Sequence, residues 1–367
     1  SDGLLKALDT KPKVEQKIET ENTEAYEFYL KAKHKYEKRK NMDDTVIIQG
    51  LLQKAIELDD NLIIAKTLFC WTYLFIGETD KALDILVPTL KQVESLGNKH
   101  NISEVLAVFQ YIYYTKGKYE KALEIITRML KIEQELKNES GFAYCYTAFA
   151  GIYYDKGDYD ESIAYYKLAN KISIKFEKFA SVASNYHNIA LIHYQLGNFH
   201  KALKYAKRSI KLNEKIGHKH SIATTQQIIS GSYTGLGDYE KAIAISEKGC
   251  RVLKKLNNKR MLGYSLIQKA NVNQKITNHK ISKQCLIQAN KIFVKLKENR
   301  GIALTHSMLG ALSYELGKYD EAIEYLKTSR SIQLNIGLRE GNILLRNTTL
   351  LFIINKIYGK KYDKNKI

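Results

Sequence analysis

Proline is nearly missing: Pro12 and Pro88 are its two occurrences in 367 residues. Proline stops helices, so its scarcity leaves helices free to run. Cysteine is scarce too. Cys70, Cys145, Cys250 and Cys285 lie far apart and match no zinc-ligand spacing. Reduced, buried thiols are expected, and with them a reducing cytoplasm. No secretory signal opens the sequence. Ser1 stands where Met would, so a longer protein is expected. The longest apolar run, Leu62 to Ile76, contains Lys66 and falls short of the roughly 20 residues that span a bilayer. No membrane span is expected. A phosphate-cradling glycine loop, a metal pair and a nucleophile motif are all absent. The reading is therefore a non-catalytic chain with no catalytic residue, metal or cofactor. His187 and His193, six apart on one helix, face different ways, and His218 and His220 fall in an exposed loop.

Ala, Leu, Ile, Glu and Lys are abundant, apolar residues reach 44% and charged residues 26%. That is a helical composition with enough apolar content for a continuous core. The formal charge is +19, and it is unevenly spread. From Lys241 to Arg300, fifteen Lys or Arg face Glu247 and Glu298 alone, which places thirteen of the nineteen charges there. Lys outnumbers Arg, and Asn and Ile are frequent, a bias that an AT-rich genome also produces. The stretch reads as a solvated basic surface or as a patch for an acidic partner.

One pattern orders the rest. Gly77, Gly117, Gly157, Gly197, Gly237 and Gly317 recur at an interval of 40, each followed by an Ala- or Ser-containing amphipathic run. Thr277 holds the missing slot. An internal period of this size marks a repeat array, each unit being helix A, a glycine turn and helix B. Glycine suits the left-handed residue that ends helix A, and Asp158 or Asp160 is placed to cap helix B. Thr23 with Glu24 reads as the start of the first helix. Ala55 to Thr89 spans 34 residues and later intervals span 40, which predicts a helix B longer by nearly two turns, about 9 Å. Pro88 predicts a kink. The seventh unit, with Lys269 at an apolar position, Asn273 at an aromatic one and Thr277 at the turn, should open more readily than its neighbours.

Small residues recur seven before the turn (Cys70, Ala150, Ala190, Ser230, Ala270, Gly310) and five after it (Ala82, Ala122, Ser162, Ala202, Ala242, Ser282, Ala322). With aromatics four before it (Tyr73, Tyr113, Tyr153, Tyr233) and small residues twelve after it, this register resembles the tetratricopeptide repeat over Thr23 to Gly337. The resemblance implies an all-α right-handed superhelix, an α-solenoid of about eight helix-turn-helix repeats plus a C-terminal capping helix. Residues 1–22 would be a lead-in helix and linker, 23–337 the array, and 338–367 the capping helix with a basic tail. The block from Thr20 to Lys33, with Ala55 to Asp59, is similar to the start of repeat tails in bacterial signalling proteins. In those, the array follows a class III adenylate or guanylate cyclase domain or a DNA-binding domain.

The resemblance also implies that helix A lines a concave groove, at positions thirteen, ten, six, three and two before the turn. Trp71, Tyr111, Tyr114, Tyr144, Tyr154, His187, Leu191, Tyr194, Gln227, Tyr264 and Tyr314 stand at such positions. Aromatics with polar tips suit a peptide or helical segment of another protein. Lys269, Lys275 and Lys280 suit an acidic one. Thr67, Ala107, Trp71 and Tyr111 occupy the places where a carboxylate clamp needs Lys and Asn, which argues against a C-terminal carboxylate ligand. Two further readings compete with this protein-interaction scaffold. One is the sensory tail of a cyclase or transcription regulator. The other is a basic solenoid for nucleic acid, ranked last because Lys-rich surfaces without a reading motif bind it nonspecifically.

Overall fold

The computed structural model describes residues 20–38, 42–335 and Leu350, and among them are sixteen α-helices and no strand. Two compact units meet in sequence between Lys178 and Phe179. The first holds α1 (Thr23–Lys38) with α2 (Met42–Leu58), α3 (Ile63–Phe75) with α4 (Thr79–Ser95), α5 (Lys99–Thr115) with α6 (Tyr119–Glu135), and α7 (Glu139–Lys156) with α8 (Tyr159–Lys175). The second holds α9 (Phe179–Gln195) with α10 (Phe199–Lys215), α11 (Lys219–Gly235) with α12 (Tyr239–Lys255), α13 (Lys259–Lys275) with α14 (His279–Lys295), and α15 (Asn299–Glu315) with α16 (Tyr319–Asn335). This is an all-α array of eight helix-turn-helix pairs. The lead-in helix around Leu4, Leu5 and Leu8 lies outside the described residues, as does the capping helix expected from Gly341 to Tyr358. Leu350 alone of that stretch is described, and it packs against Ala322, Ile323 and Leu326.

The chain turns every twenty residues, not every forty. Positive φ occurs at Gly77, Gly97, Gly117, Lys137, Gly157, Glu177, Gly197, Gly217, Gly237, Asn257, Thr277, Lys297 and Gly317. At twelve of these thirteen the next amide donates to the carbonyl five residues before it, as in Lys118 to Tyr113 and Glu298 to Phe293, both 2.9 Å. This is the Schellman closure, which satisfies carbonyls that a helix end leaves open. Each helix from α4 onward is 17 residues long, apart from α7 with 18.

The step from 34 to 40 residues therefore does not lengthen helix B alone. Helix α4 ends six residues after Thr89, whereas α2 ends three after Ala55. Helix α7 begins eleven residues before Ala150, whereas α3 begins seven before Cys70. Three residues go to helix B and four to the next helix A, while the connection shortens from four residues to three. Helix α4 runs unbroken through Pro88, which is exposed, and the Thr89 hydroxyl donates to the Ile85 carbonyl at 2.7 Å.

The small residues are where the two helices of a pair touch. All seven at the position five after the turn are fully buried. Three side chains that can donate bond across the pair: Ser162 to the Ala150 carbonyl (2.7 Å), Ser230 to the Ala242 carbonyl (2.9 Å), and the Cys70 thiol toward the Ala82 carbonyl (3.5 Å), whereas the Ser282 hydroxyl in the seventh pair makes no such bond. Ser209 and Ser329 make the matching bond about two turns further out, to Ala183 and Ala303. Around these contacts large apolar side chains fill the core, Leu86, Ile112, Ile126 and Ile152 in the first unit and Leu286, Phe293 and Leu309 in the second. Capping differs from the sequence expectation. Asn22, not Thr23, accepts the Ala25 amide, and Asn98, Asn138, Asp238, Asn258 and Asn278 cap likewise. Asp158 makes no side-chain cap bond.

The seventh pair keeps this register with unsuited residues. Thr277 adopts φ +59, where a branched Cβ crowds the backbone at a cost of about 1–2 kcal/mol. Part of that gain is offset by glycine's freer unfolded chain. Thr277→Gly should therefore raise the urea midpoint of unfolding by the equivalent of about 1 kcal/mol, and Gly237→Ala should lower it by a similar amount. A lower midpoint for Thr277→Gly would show that this turn stores no strain.

Candidate partner-binding wall

Within each unit successive A helices pack directly on one another, α3 on α5 in the first and α9, α11, α13 and α15 in series in the second. The B helices pack against the A helices on either side. Each unit thus has an A-helix wall and a B-helix wall.

On the first unit's A-helix wall, Trp71 and Tyr111 meet with ring centroids 5.0 Å apart. Tyr111 is still 38% exposed and Tyr144 is 43% exposed. The Tyr144 hydroxyl reaches the Ala107 carbonyl at 3.5 Å and the buried Gln110 at 3.4 Å, both long for O–H donors. Phe75, 51% exposed, sits two residues before Gly77 at the end of α3. Sequence reading passed over it, although its place before the turn is one of the groove positions.

The tyrosines three before the turn do something else. Tyr114 packs on Tyr119 (6.3 Å), Tyr154 on Tyr159 (5.9 Å), Tyr194 on Phe199 (6.1 Å) and Tyr314 on Tyr319 (5.8 Å). Each partner is the first residue of the following B helix, so the pair of rings clasps the turn. Burial raises the Tyr114 hydroxyl pKa, and a hydrogen bond to Asp155 adds to the shift. A Cβ at Gly231 would come within 2.7 Å of the Tyr194 ring, so glycine on α11 makes the room that this tyrosine uses. The aromatic residue two after the turn was the available signal.

In the second unit, Leu191 belongs to the cluster around Ala190, Ala206 and Ile228. Gln227 Nε2 reaches the Met261 carbonyl at 3.5 Å. Tyr264 packs edge-on against the fully buried Phe293 of α14, 4.9 Å away. Lys269 Nζ is bound to Glu247 of α12 at 2.9 Å. Burial opposes its charge, and the Glu247 bond outweighs that, leaving the Lys269 pKa raised. Lys275 and Lys280 are exposed. The three lysines are thus not alike, because Lys269 already has an internal carboxylate. Among the described residues no group of three His, Cys, Asp or Glu could hold a metal ion, and no helix is long and apolar enough to cross a membrane.

The sequence pattern of the tetratricopeptide repeat matches residues 181–255, 143–173 and 305–334. No curated protein matches the chain. Among solved structures it is similar to a signal transduction ATPase with numerous domains and a tetratricopeptide repeat sensor, from Pyrococcus horikoshii. That match has 15% identity and a TM-score of 0.65, over 96% of this chain and 53% of that one. It is similar to aspartyl phosphate phosphatase F from Bacillus subtilis, at 15% identity and 0.62, over 86% of this chain and 85% of that one. A Rap protein complexed with competence and sporulation factor matches at 13% and 0.60, over 92% of this chain and all of its own. Identities this low show a shared fold.

His187 gives the second unit's wall a pH response. Its Nδ1 lies 2.9 Å from the Thr225 hydroxyl, and burial lowers its pKa from 6.5 to about 4. The unfolded chain takes up this proton near pH 6.5 and the folded chain only near pH 4. The stability that neutral His187 preserves is therefore complete above pH 6.5 and is lost as the pH falls toward 4. Between pH 7 and pH 5 the parent should lose about 2 kcal/mol more than His187→Asn does, measured by urea unfolding at each pH. Parallel pH profiles would mean that the ring titrates freely in the folded state.

Proposed function

This chain is a tetratricopeptide-repeat protein, and we propose that it is a non-catalytic scaffold that holds a peptide or helix of a partner protein on the first unit's A-helix wall. The observation that carries this reading is the exposure of Tyr111 and Tyr144 on successive A helices, with Trp71 packed on Tyr111, while every other described tyrosine is at least partly buried. Aromatic side chains with few rotatable bonds give large contact area at low entropic cost. The exposed part of Tyr144 is its ring, since burial against Ala107 and Gln110 raises the hydroxyl pKa. Of the three lysines expected to meet an acidic segment, Lys275 and Lys280 are exposed in the second unit and Lys269 is held by Glu247. The four free thiols suit a reducing compartment such as the cytoplasm.

A second reading makes the array the sensory part of a longer signalling protein, with a cyclase or DNA-binding output domain upstream. It is favoured by the N-terminal block around Ala25 to Ala32 and by the likeness to an ATPase whose sensor is a tetratricopeptide repeat. Both readings use the same wall.

Peptides selected on the full chain from a displayed library test the wall directly. Tyr111→Ala with Tyr144→Ala should weaken a selected peptide by about 30-fold or more, chiefly through faster dissociation. Tyr114→Phe, which keeps the ring on Tyr119, should bind like the parent. Parent-like affinity in the double variant would move the site elsewhere.

A further inference from the structure

The charge of this protein is concentrated on a surface that the protein-interaction reading does not use. Residues 199–297 carry twenty-one Lys or Arg against Glu214, Asp238, Glu240 and Glu247, a net +17 of the +19 total. Much of it lies on the B-helix wall of the second unit. On α10, Lys201, Lys204, Arg208, Lys211 and Lys215 are exposed and spaced three or four apart, which sets them on one helix face. Forty residues on, Lys241, Lys248, Arg251 and Lys255 repeat four of those five positions on α12, and Lys291 and Lys295 repeat two on α14. The cations therefore form rows across helices, Lys211–Arg251–Lys291 and Lys215–Lys255–Lys295, as well as stripes along them.

Little in the protein neutralises these rows. Lys241 bonds Asp238 at 2.6 Å, and Arg208 lies over the Tyr186 and Tyr205 rings. The nearby carboxylates are taken by other cations: Glu247 by Lys269, Glu298 by Arg260 and Glu321 by Lys283. The first unit differs at the same register. Lys91, Lys131 and Lys171 share their wall with acids that join neighbouring elements, in the pairs Arg128–Glu94, Lys99–Glu135 and Lys175–Glu139.

We propose that the B-helix wall formed by α10, α12 and α14 binds the phosphodiester backbone of a nucleic-acid duplex without reading its sequence. Protein interfaces are depleted of Lys and built around aromatic or aliphatic anchors, yet α10 and α12 expose no apolar side chain larger than Ala244, and α14 exposes only Ile281 and Val294, thirteen residues apart and so not on one face. That same lack of an apolar face disfavours an anionic membrane surface. Nucleic-acid interfaces are strongly positive, and release of counterions from phosphates supplies affinity with no base contact. No groove-reading element accompanies the rows, so phosphates alone are engaged.

The test is anisotropy of a labelled short duplex, DNA in one arm and RNA of the same sequence in the other, titrated with the full chain over a range of salt. Two triple variants with equal charge change are compared: Lys211→Glu/Arg251→Glu/Lys291→Glu, and Lys91→Glu/Lys131→Glu/Lys171→Glu at the same register in the first unit. All six positions are exposed, and circular dichroism checks that each variant folds. The second-unit variant should bind either duplex at least 30-fold more weakly at about 0.1 M salt, with the slope of log affinity against log salt reduced by about 3. The first-unit variant should stay within about 3-fold of the parent. Equal losses in both variants would reduce the effect to net charge and overturn the proposal. So would tighter binding to polyglutamate or to phosphatidylserine vesicles than to either duplex.

Discussion

A left-handed residue every twenty positions is the constraint on which this structure depends. Between two such residues the chain fits one helix of 17 residues, about 25 Å long, and the Schellman bonds close its carbonyls before the next begins. Equal helices keep the small residues seven before and five after each A-to-B turn in register, so the Ser162–Ala150 contact in one pair becomes the Ser230–Ala242 contact two pairs later. Neighbour contacts of one kind, repeated, make the stability of such an array close to a sum over repeats. The turn residue need not be glycine for this. Lys137, Glu177, Asn257 and Lys297 adopt the same conformation, and so does Thr277 with its branched side chain.

Because the core is met by small residues and aliphatics at fixed positions, the two walls of a unit are free to differ in character. The first unit leaves aromatic rings in solvent on its A-helix wall, and the cations of its B-helix wall stand beside ion pairs that cancel locally. The second unit's A-helix wall is closed down by the packing of Leu191, Tyr194 and Tyr264 and by the His187–Thr225 bond, and its B-helix wall collects cations with few carboxylates left to meet them. One chain therefore carries exposed aromatic rings and a concentration of cations on different sets of helices. Neither interferes with the helix contacts that hold the array.

The pairing, helix type and family register were legible in the sequence because glycine at the A-to-B turn and Ala or Ser at the contact positions leave visible marks. The B-to-A turns were half hidden. Gly97 and Gly217 signal a turn, but Lys137, Glu177 and Lys297 look like ordinary helix residues, and so the extra six residues were all given to helix B. Of the wall residues, Tyr111 and Tyr144 are exposed and Trp71 packs on Tyr111. The tyrosines three before each turn proved to be clasps because spacing tells which face a ring leaves from, not which neighbour receives it. The same limit applies to Lys269: its place at an apolar position was plain, but its bond to Glu247 depends on a helix twenty-two residues away.

The φ angles of the five non-glycine turn residues, Lys137, Glu177, Asn257, Thr277 and Lys297, test the central claim most directly. They can be obtained from backbone chemical shifts and three-bond amide couplings of the full chain in solution. Positive φ is expected at all five, each flanked by helical shifts that stop within about two residues. Helical φ running through any of them would fuse two neighbouring helices and contradict the twenty-residue interval.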